Sequence, residues 1–432
     1  MRDTSRNIPL FIAFRVLFNA RFYYPVLGVL FVDLGLSLAQ YAALNAIWAA
    51  AIVTLEIPSG ALADTIGRRR MVVLAAVLMV AEMAVFAFAP TGDPELLFWL
   101  LALNRLLSGA AEASASGADE ALAYDSLPAR DREAAWPKVL ASLVRWQSGA
   151  FFVAMLAGAA LFDRSFLEGI TSFFGLDLPS GPATRWPVFA TLATAFACLG
   201  VALSMRETGS RAGGEHAVSV VLRNIARGAG AVATDRRIAI LLVAALACDA
   251  FARLFVTFAS NFNRLIGIPE AAFGLVGSAL GLLGFVAAPA GKWLVGNRGA
   301  VFNFCLLGLL IFGGLTFAAT ALPLWGVMAM LPIGLSMSLL GFFVSHYLNA
   351  WTQSDLRATV LSFRGLALNL GFGGIGLLYG AILRGLKEGD QATGSVAYRE
   401  SLWWLPLIFA VLWMTWWLHQ RLRVHGTEEK AD

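Results

Sequence analysis

The sequence predicts an all-α membrane protein: twelve transmembrane helices in two pseudo-symmetric six-helix bundles. Three observations carry that expectation. The 432 residues are 59% hydrophobic and 14% charged, with mean hydropathy +0.72, whereas a soluble chain carries about 25% charged residues. Apolar runs of about 18 to 25 residues recur, each long enough to cross a hydrocarbon core of about 30 Å as a helix. Short patterns also repeat, in order, between the two halves.

The runs lie at 9–33, 40–60, 71–89, 96–117, 138–161, 186–205, 237–258, 270–295, 300–320, 323–350, 360–384 and 401–421. They are continuous and rich in leucine, alanine and phenylalanine. Such runs satisfy their backbone as helices, not as alternating barrel strands. The opening MRDTSRNIPLFIAFRVLFNARF lacks the small-residue exit of a cleavable leader, and Arg15 and Arg21 interrupt it, so the first span is expected to stay. Both termini are expected in the cytoplasm of an inner membrane, because the outward loops then hold few basic residues: Arg164, Arg185, Arg264, Arg384, Lys387 and Arg399. The net charge of +4 reflects this bias and implies no nucleic-acid partner. Three cysteines in separate spans and four scattered histidines suggest neither disulfides, metal nor cofactor. A monomer surrounded by membrane lipids is expected.

The polar stretch near the middle divides the chain into a bundle at 1–205, a linker at 206–236, a bundle at 237–421 and a tail at 422–432. In the linker, Val218, Val221, Leu222, Ile225 and Val232 share one helical face, away from Arg223 and Arg227. That pattern fits an amphipathic helix lying on the inner membrane surface or on the protein's own cytoplasmic side. Three pairs of segments echo each other: IPSGALADTIGRRR and APAGKWLVGNRGAV, DREAAWPKVLASLVRW and DLRATVLSFRG, AFRVLF and AFARLF. A duplicated six-helix unit is a transporter design with the solute site between repeats.

Between the second and third runs stands Gly60-x-x-x-Asp64-x-x-Gly67-Arg68-Arg69-Arg70. This resembles the loop signature of the major facilitator superfamily at the same place. A second pattern, Leu-x-x-x-Arg105-x-x-x-Gly109 in the fourth run, is similar to that family's fourth-helix motif, whose arginine is tied to proton coupling. SGADEALAYDSL, after it, resembles a poorly characterised bacterial branch. The resemblance implies a secondary transporter that rocks two halves, and it implies a cytoplasmic latch for Gly60, Asp64, Gly67 and Arg68. The fork of Arg68 suits an acid, while Arg69 and Arg70 could equally hold anionic headgroups. The proline-glycine signature of drug/proton antiporters is missing from the fifth run, RWQSGAFFVAMLAGAALFD.

Ionisable groups inside spans are costly and mark pathways or partners. Here they fall at helical spacing: Arg15, Asn19 and Tyr23 in span one; Arg105, Ser108, Glu112, Ser116 and Asp119 in span four; Asp249, Arg253, Thr257 and Asn261 in span seven. Span ten has Ser338, Gly341, Ser345 and Asn349 beside His346. The resemblance implies a cavity lined by these four helices. Glu112, with Arg105 two turns away, is the first candidate for proton coupling, and Asp249, which can pair with Arg253, is the second. Arg145 and Arg364 occupy matching places in spans five and eleven. Glu82 is a lone acid that reads first as structural. Together with Arg15, Asn19, Tyr23, Arg253 and His346, these arginines outline a solute cavity. Their slight positive excess favours an anionic or carboxylate-bearing small molecule. Export of an amphiphilic compound is the alternative, and a non-transporting receptor on the same fold is a third reading. Tyr24 and Trp146 join Tyr23 as aromatic contacts to test.

No phosphate loop G-x-x-x-x-G-K-[ST] is present, nor H-E-x-x-H or G-x-S-x-G. Tyr124-Asp125 matches half of an aspartyl intramembrane protease site, without the Gly-x-Gly-Asp partner. No enzyme is expected, and no catalytic residue.

Overall fold

A computed structural model of the chain describes residues 6–128, 130–175, 183–208, 223, 226–227, 229–230, 232, 234–352, 357–389 and 394–428. Its helices are α1 (Asn7–Asn19), α2 (Leu27–Asp33), α3 (Leu38–Ile66), α4 (Arg68–Phe88), α5 (Pro94–Ala115), α6 (Ala118–Ser126), α7 (Arg132–Phe162), α8 (Arg164–Phe173) and α9 (Trp186–Ser204). They continue as α10 (Arg236–Thr257), α11 (Ala259–Leu265), α12 (Phe273–Asn297), α13 (Ala300–Ala319), α14 (Met330–Trp351), α15 (Arg357–Gly389), α16 (Gly394–Ser401) and α17 (Trp404–Glu428). Twelve stretches are long and apolar enough to cross a membrane, and no strand occurs among the described residues. Most of the amphipathic face expected in the linker lies outside the described residues; of its members only Val232 is described, and it is buried.

Local chemistry explains where the helices begin. Ser37 and Gln40 form a reciprocal capping box at α3, the serine hydroxyl accepting from Gln40 N–H at 3.2 Å and Gln40 Oε1 from Ser37 N–H at 2.9 Å. Asp93 accepts from the N–H groups of Glu95 and Leu96 at 2.9 and 3.1 Å, with Pro94 in the first helical position of α5. Asp235 does the same for Arg237 N–H at 2.9 Å at the start of α10.

Three of the four expected polar stripes do not run along single helices. α1 stops at Asn19, and Tyr24–Val26 form a separate 3-10 turn before α2. Pro25 offers no N–H and disfavours helix in the residue before it. Tyr23 is therefore off the face shared by Arg15 and Asn19. α5 ends at Ala115, so Ser116 is a cap and Asp119 belongs to α6. α10 ends at Thr257, which places Asn261 on α11. The stripe of span ten stays whole on α14.

The chain forms two compact units, one of Met1–Leu222 with Pro269–Ser278 and one of Arg223–Ile268 with Ala279–Asp432. In the first, α4 packs on α5 and α9, α3 on α5, and α1 on α7 and α9. Phe11, Phe14, Phe18, Phe31 and Phe86 are buried among them. In the second, α10 packs on α13, α14, α15 and α17. Two polar side chains there bond internally, as burial favours: Asn303 donates to Tyr347 Oη at 2.7 Å, and Trp416 Nε1–H to the Ile240 carbonyl at 3.0 Å.

Candidate functional site

Gly67 separates α3 from α4 with φ +107°, a backbone that a side chain rarely adopts. A Cβ there would lie 2.5 Å from Glu207 Oε2. The sharp turn puts three arginines on the first turn of α4, and they diverge. Arg68 pairs with Asp125 of α6 and donates to the Ala121 carbonyl at 3.2 Å. Arg132 of α7 reaches the other oxygen of Asp125 at 3.1 Å and stacks over the Tyr124 ring at 5.2 Å. Arg69 Nε and Nη2 donate to the Met205 and Leu203 carbonyls at 2.6 and 2.8 Å, neutralising the end of α9. Arg70 is exposed, as a headgroup anchor would be, and so is Gly60. The side chain of Asp64 lies outside the described ones.

Asp125 thus joins three helices through two guanidinium groups, a role that its tyrosine-aspartate context did not suggest. A nearby acid matching the arginine-rich turn was the available signal. Asp125→Ala is expected to cost about 1–3 kcal/mol, because two half-exposed guanidiniums lose a charged acceptor. A double-mutant cycle with Arg68→Ala, read by unfolding of the purified protein, should return a coupling of at least about 0.5 kcal/mol.

Within the spans of the first unit, Arg15 Nε lies 2.5 Å from Asp119 Oδ2 and its Nη2 3.3 Å from Glu120. Asn19 turns back to the Arg15 carbonyl at 2.8 Å. Arg21 pairs with Glu82, both fully buried, and donates to Tyr23 Oη at 3.0 Å. Tyr23 is itself buried against Phe86, ring centroids 5.6 Å apart, so it belongs to this interior cluster. Asn104 donates to the Glu82 carbonyl at 2.7 Å and accepts from Arg105 Nε at 3.0 Å, while Arg105 lies over the Phe31 ring at 5.4 Å. Arg105 therefore engages Asn104 and Phe31, and no bond joins it to Glu112. Among the described residues Glu112, half-buried on α5, has no hydrogen bond or ion pair.

In the second unit Arg253 Nη2 meets Asp249 Oδ2 at 2.6 Å, one turn apart, and Nη1 donates to Asn369 Oδ1 of α15 at 2.9 Å. The guanidinium also lies over Phe372 at 5.3 Å. Arg364, on α15 as well, is half-buried, and its Nε has no hydrogen-bond partner among the described residues. Arg145 on α7 of the first unit is exposed, with no partner among the described residues. Trp146 beside it is also exposed, as is Tyr24. Arg15 and Arg253 are thus paired, whereas Arg145 and Arg364 form no ion pair among the described residues. A cavity of about 540 Å³ opens between α12 and α14, lined by Gly284, Ala287, Gly341, Phe342, Ser345 and His346. His346 stands edge-on to Tyr347 at 5.1 Å. No group of three or more potential metal ligands occurs among the described residues.

The fold and these intramembrane charges define a membrane transporter class. The Major Facilitator Superfamily model matches residues 10–347, and the chain belongs to that family. Among curated proteins none matches it. Solved structures resemble it in fold at low identity. The nucleoside transporter NupG is 15% identical with a TM-score of 0.67, over 96% of this chain and 99% of that one. A bacterial homologue of the human lysosomal transporter Spinster, inward-facing and unoccupied, is 17% identical with a TM-score of 0.70, over 96% of each chain. A D-xylose-proton symporter is 14% identical with a TM-score of 0.64, over 96% and 97%.

Proposed function

We propose that the protein is a proton-coupled secondary transporter of the cell's inner membrane, with both termini cytoplasmic, that carries a small anionic or carboxylate-bearing solute by alternating access. One observation carries the anionic preference: Arg145 and Arg364 lie within membrane spans without ion-pair partners among the described residues. A guanidinium facing acyl chains is costly, so such groups face water and a solute. Their bidentate geometry fits a carboxylate or phosphate. Arg253, in the same unit as Arg364, is already shared between Asp249 and Asn369. Glu112, the half-buried acid without a hydrogen bond or ion pair among the described residues, is the coupling candidate. A reading as exporter of amphiphilic compounds draws on the largely apolar cavity beside His346.

The test is solute-induced stabilisation of the purified protein by organic anions and by lipophilic cations. A solute at about 100 times its Kd adds about 2.7 kcal/mol to the folded state. An anion-specific rise in melting temperature, lost in Arg364→Gln and Arg145→Gln, is expected. A rise with lipophilic cations alone would overturn the anionic reading and make Glu112 and Asp249 the counter-charges.

A further inference from the structure

We propose that α8 (Arg164–Phe173) is a membrane-docking helix that sinks its apolar face among lipid acyl chains beside the end of α7, without help from headgroup charge. Phe166, Ile170 and Phe173 follow each other at helical spacing, with Leu167 and Phe174 at their flank. Ser165, Glu168, Thr171 and Ser172 occupy the opposite face. Among the described residues the apolar side is left largely open: Phe166, Ile170 and Phe173 are 45%, 43% and 84% exposed, and Phe174 is 68% exposed.

Position supplies the partner. α8 joins two membrane spans, α7 ending at Phe162 and α9 starting at Trp186. One residue forms the joint with α7. The Asp163 carboxylate accepts from Phe166 N–H at 3.0 Å, and its carbonyl from Leu167 N–H at 3.0 Å. With no flexible tether, a helix about 15 Å long stays at the bilayer boundary. An aromatic belt also lies at the same membrane end. Phe88, closing α4, is 68% exposed and meets Phe189 of α9 edge-on at 5.7 Å, and Trp186 is exposed next to it. Aromatic side chains at this depth are what a membrane interface selects.

The polar face carries balanced charge. Arg164 and Glu168 pair with each other at 2.6 Å, while Thr171 and Ser172 return their hydroxyl protons to the Leu167 and Gly169 carbonyls at 3.0 Å each. The helix has no basic surplus for anionic headgroups to attract. Its anchoring force is apolar burial at the headgroup–acyl boundary.

Nitroxide labels at Phe166→Cys, Ile170→Cys, Phe173→Cys, Glu168→Cys and Ser172→Cys test this. They would be placed one at a time in full-length protein with Cys198, Cys248 and Cys305 replaced by alanine and reconstituted in phosphatidylcholine vesicles. The first three labels should collide severalfold more with oxygen than with a water-soluble nickel chelate, and the last two should show the reverse. Adding phosphatidylglycerol or salt should change neither pattern. Apolar-face labels as open to nickel as the polar ones would overturn the proposal. Labels closed to both reagents would overturn it too, in favour of a protein partner. Should the cysteine-free protein fail to fold, hydrogen exchange of the natural chain in nanodiscs decides: slow exchange at residues 166–173 is expected, and exchange at the rate of an unfolded peptide refutes lipid burial.

Discussion

Glu82→Ala is expected to destabilise the protein by about 3–5 kcal/mol, among the largest losses a single substitution here can cause. The carboxylate is 0% exposed and its partner Arg21 1% exposed. Removing the acid leaves a guanidinium charged inside the first unit. Among the described residues Arg21 keeps only Tyr23 Oη as an acceptor, and its Nε and Nη2 already have none. The pair is nevertheless weak evidence for net stabilisation, because taking both ions out of water costs about as much as their attraction returns. The double variant Arg21→Met/Glu82→Leu is therefore expected to unfold near the wild-type midpoint, with either single variant far below it. Denaturant or thermal unfolding in detergent reads all three. A loss under about 1 kcal/mol for Glu82→Ala would mean that water reaches the pair. A stable double variant that no longer transports would move the pair from scaffold to mechanism.

The twelve spans were legible because hydrocarbon leaves the chain few options: each run must be apolar, long and helical. The breaks within spans one, four and seven were less so. Pro25 and the Ser116-Gly117 pair carry recognisable signals, but Phe258 between α10 and α11 carries none. There the backbone turns because Phe258 packs on Tyr379 and Tyr398, partners more than a hundred residues away in sequence. The stripes Arg15–Asn19, Arg105–Ser108–Glu112 and Asp249–Arg253–Thr257 do lie along single helices. Pairing was harder to read, because it depends on rotamer and on which neighbour is nearer. Arg105, on the same helix face as Glu112, turns instead to the adjacent Asn104 and to Phe31. Arg21 and Glu82, a lone base and a lone acid in nearby spans, could have been matched by charge alone. Asp125 could have been found the same way against Arg68.

Gly158→Ala should destabilise by about 1–3 kcal/mol or more, while Gly149→Ala, nine residues earlier on the same helix, should be neutral or stabilising by up to about 1 kcal/mol. The propensity change is identical, so the difference between the two isolates packing. Nothing lies within 4 Å of a Cβ placed at Gly149. At Gly158 the new methyl would collide with the Phe22 carbonyl oxygen and come within 2.6 Å of its carbon. A flexible side chain could yield, but Phe22 is backbone in the break between α1 and the turn at Tyr24. Its N–H donates to Thr191 Oγ1 at 3.0 Å, and that hydroxyl donates to the Pro187 carbonyl at 2.8 Å on α9. α7 approaches this closely because glycine leaves the space, which is how membrane helices gain dispersion contact without a hydrophobic drive. The comparison is read by unfolding midpoints of both variants. Equal midpoints would show that the broken segment around Phe22 shifts freely, and that the first span is held by its ion pair with Glu82 more than by contact with α7.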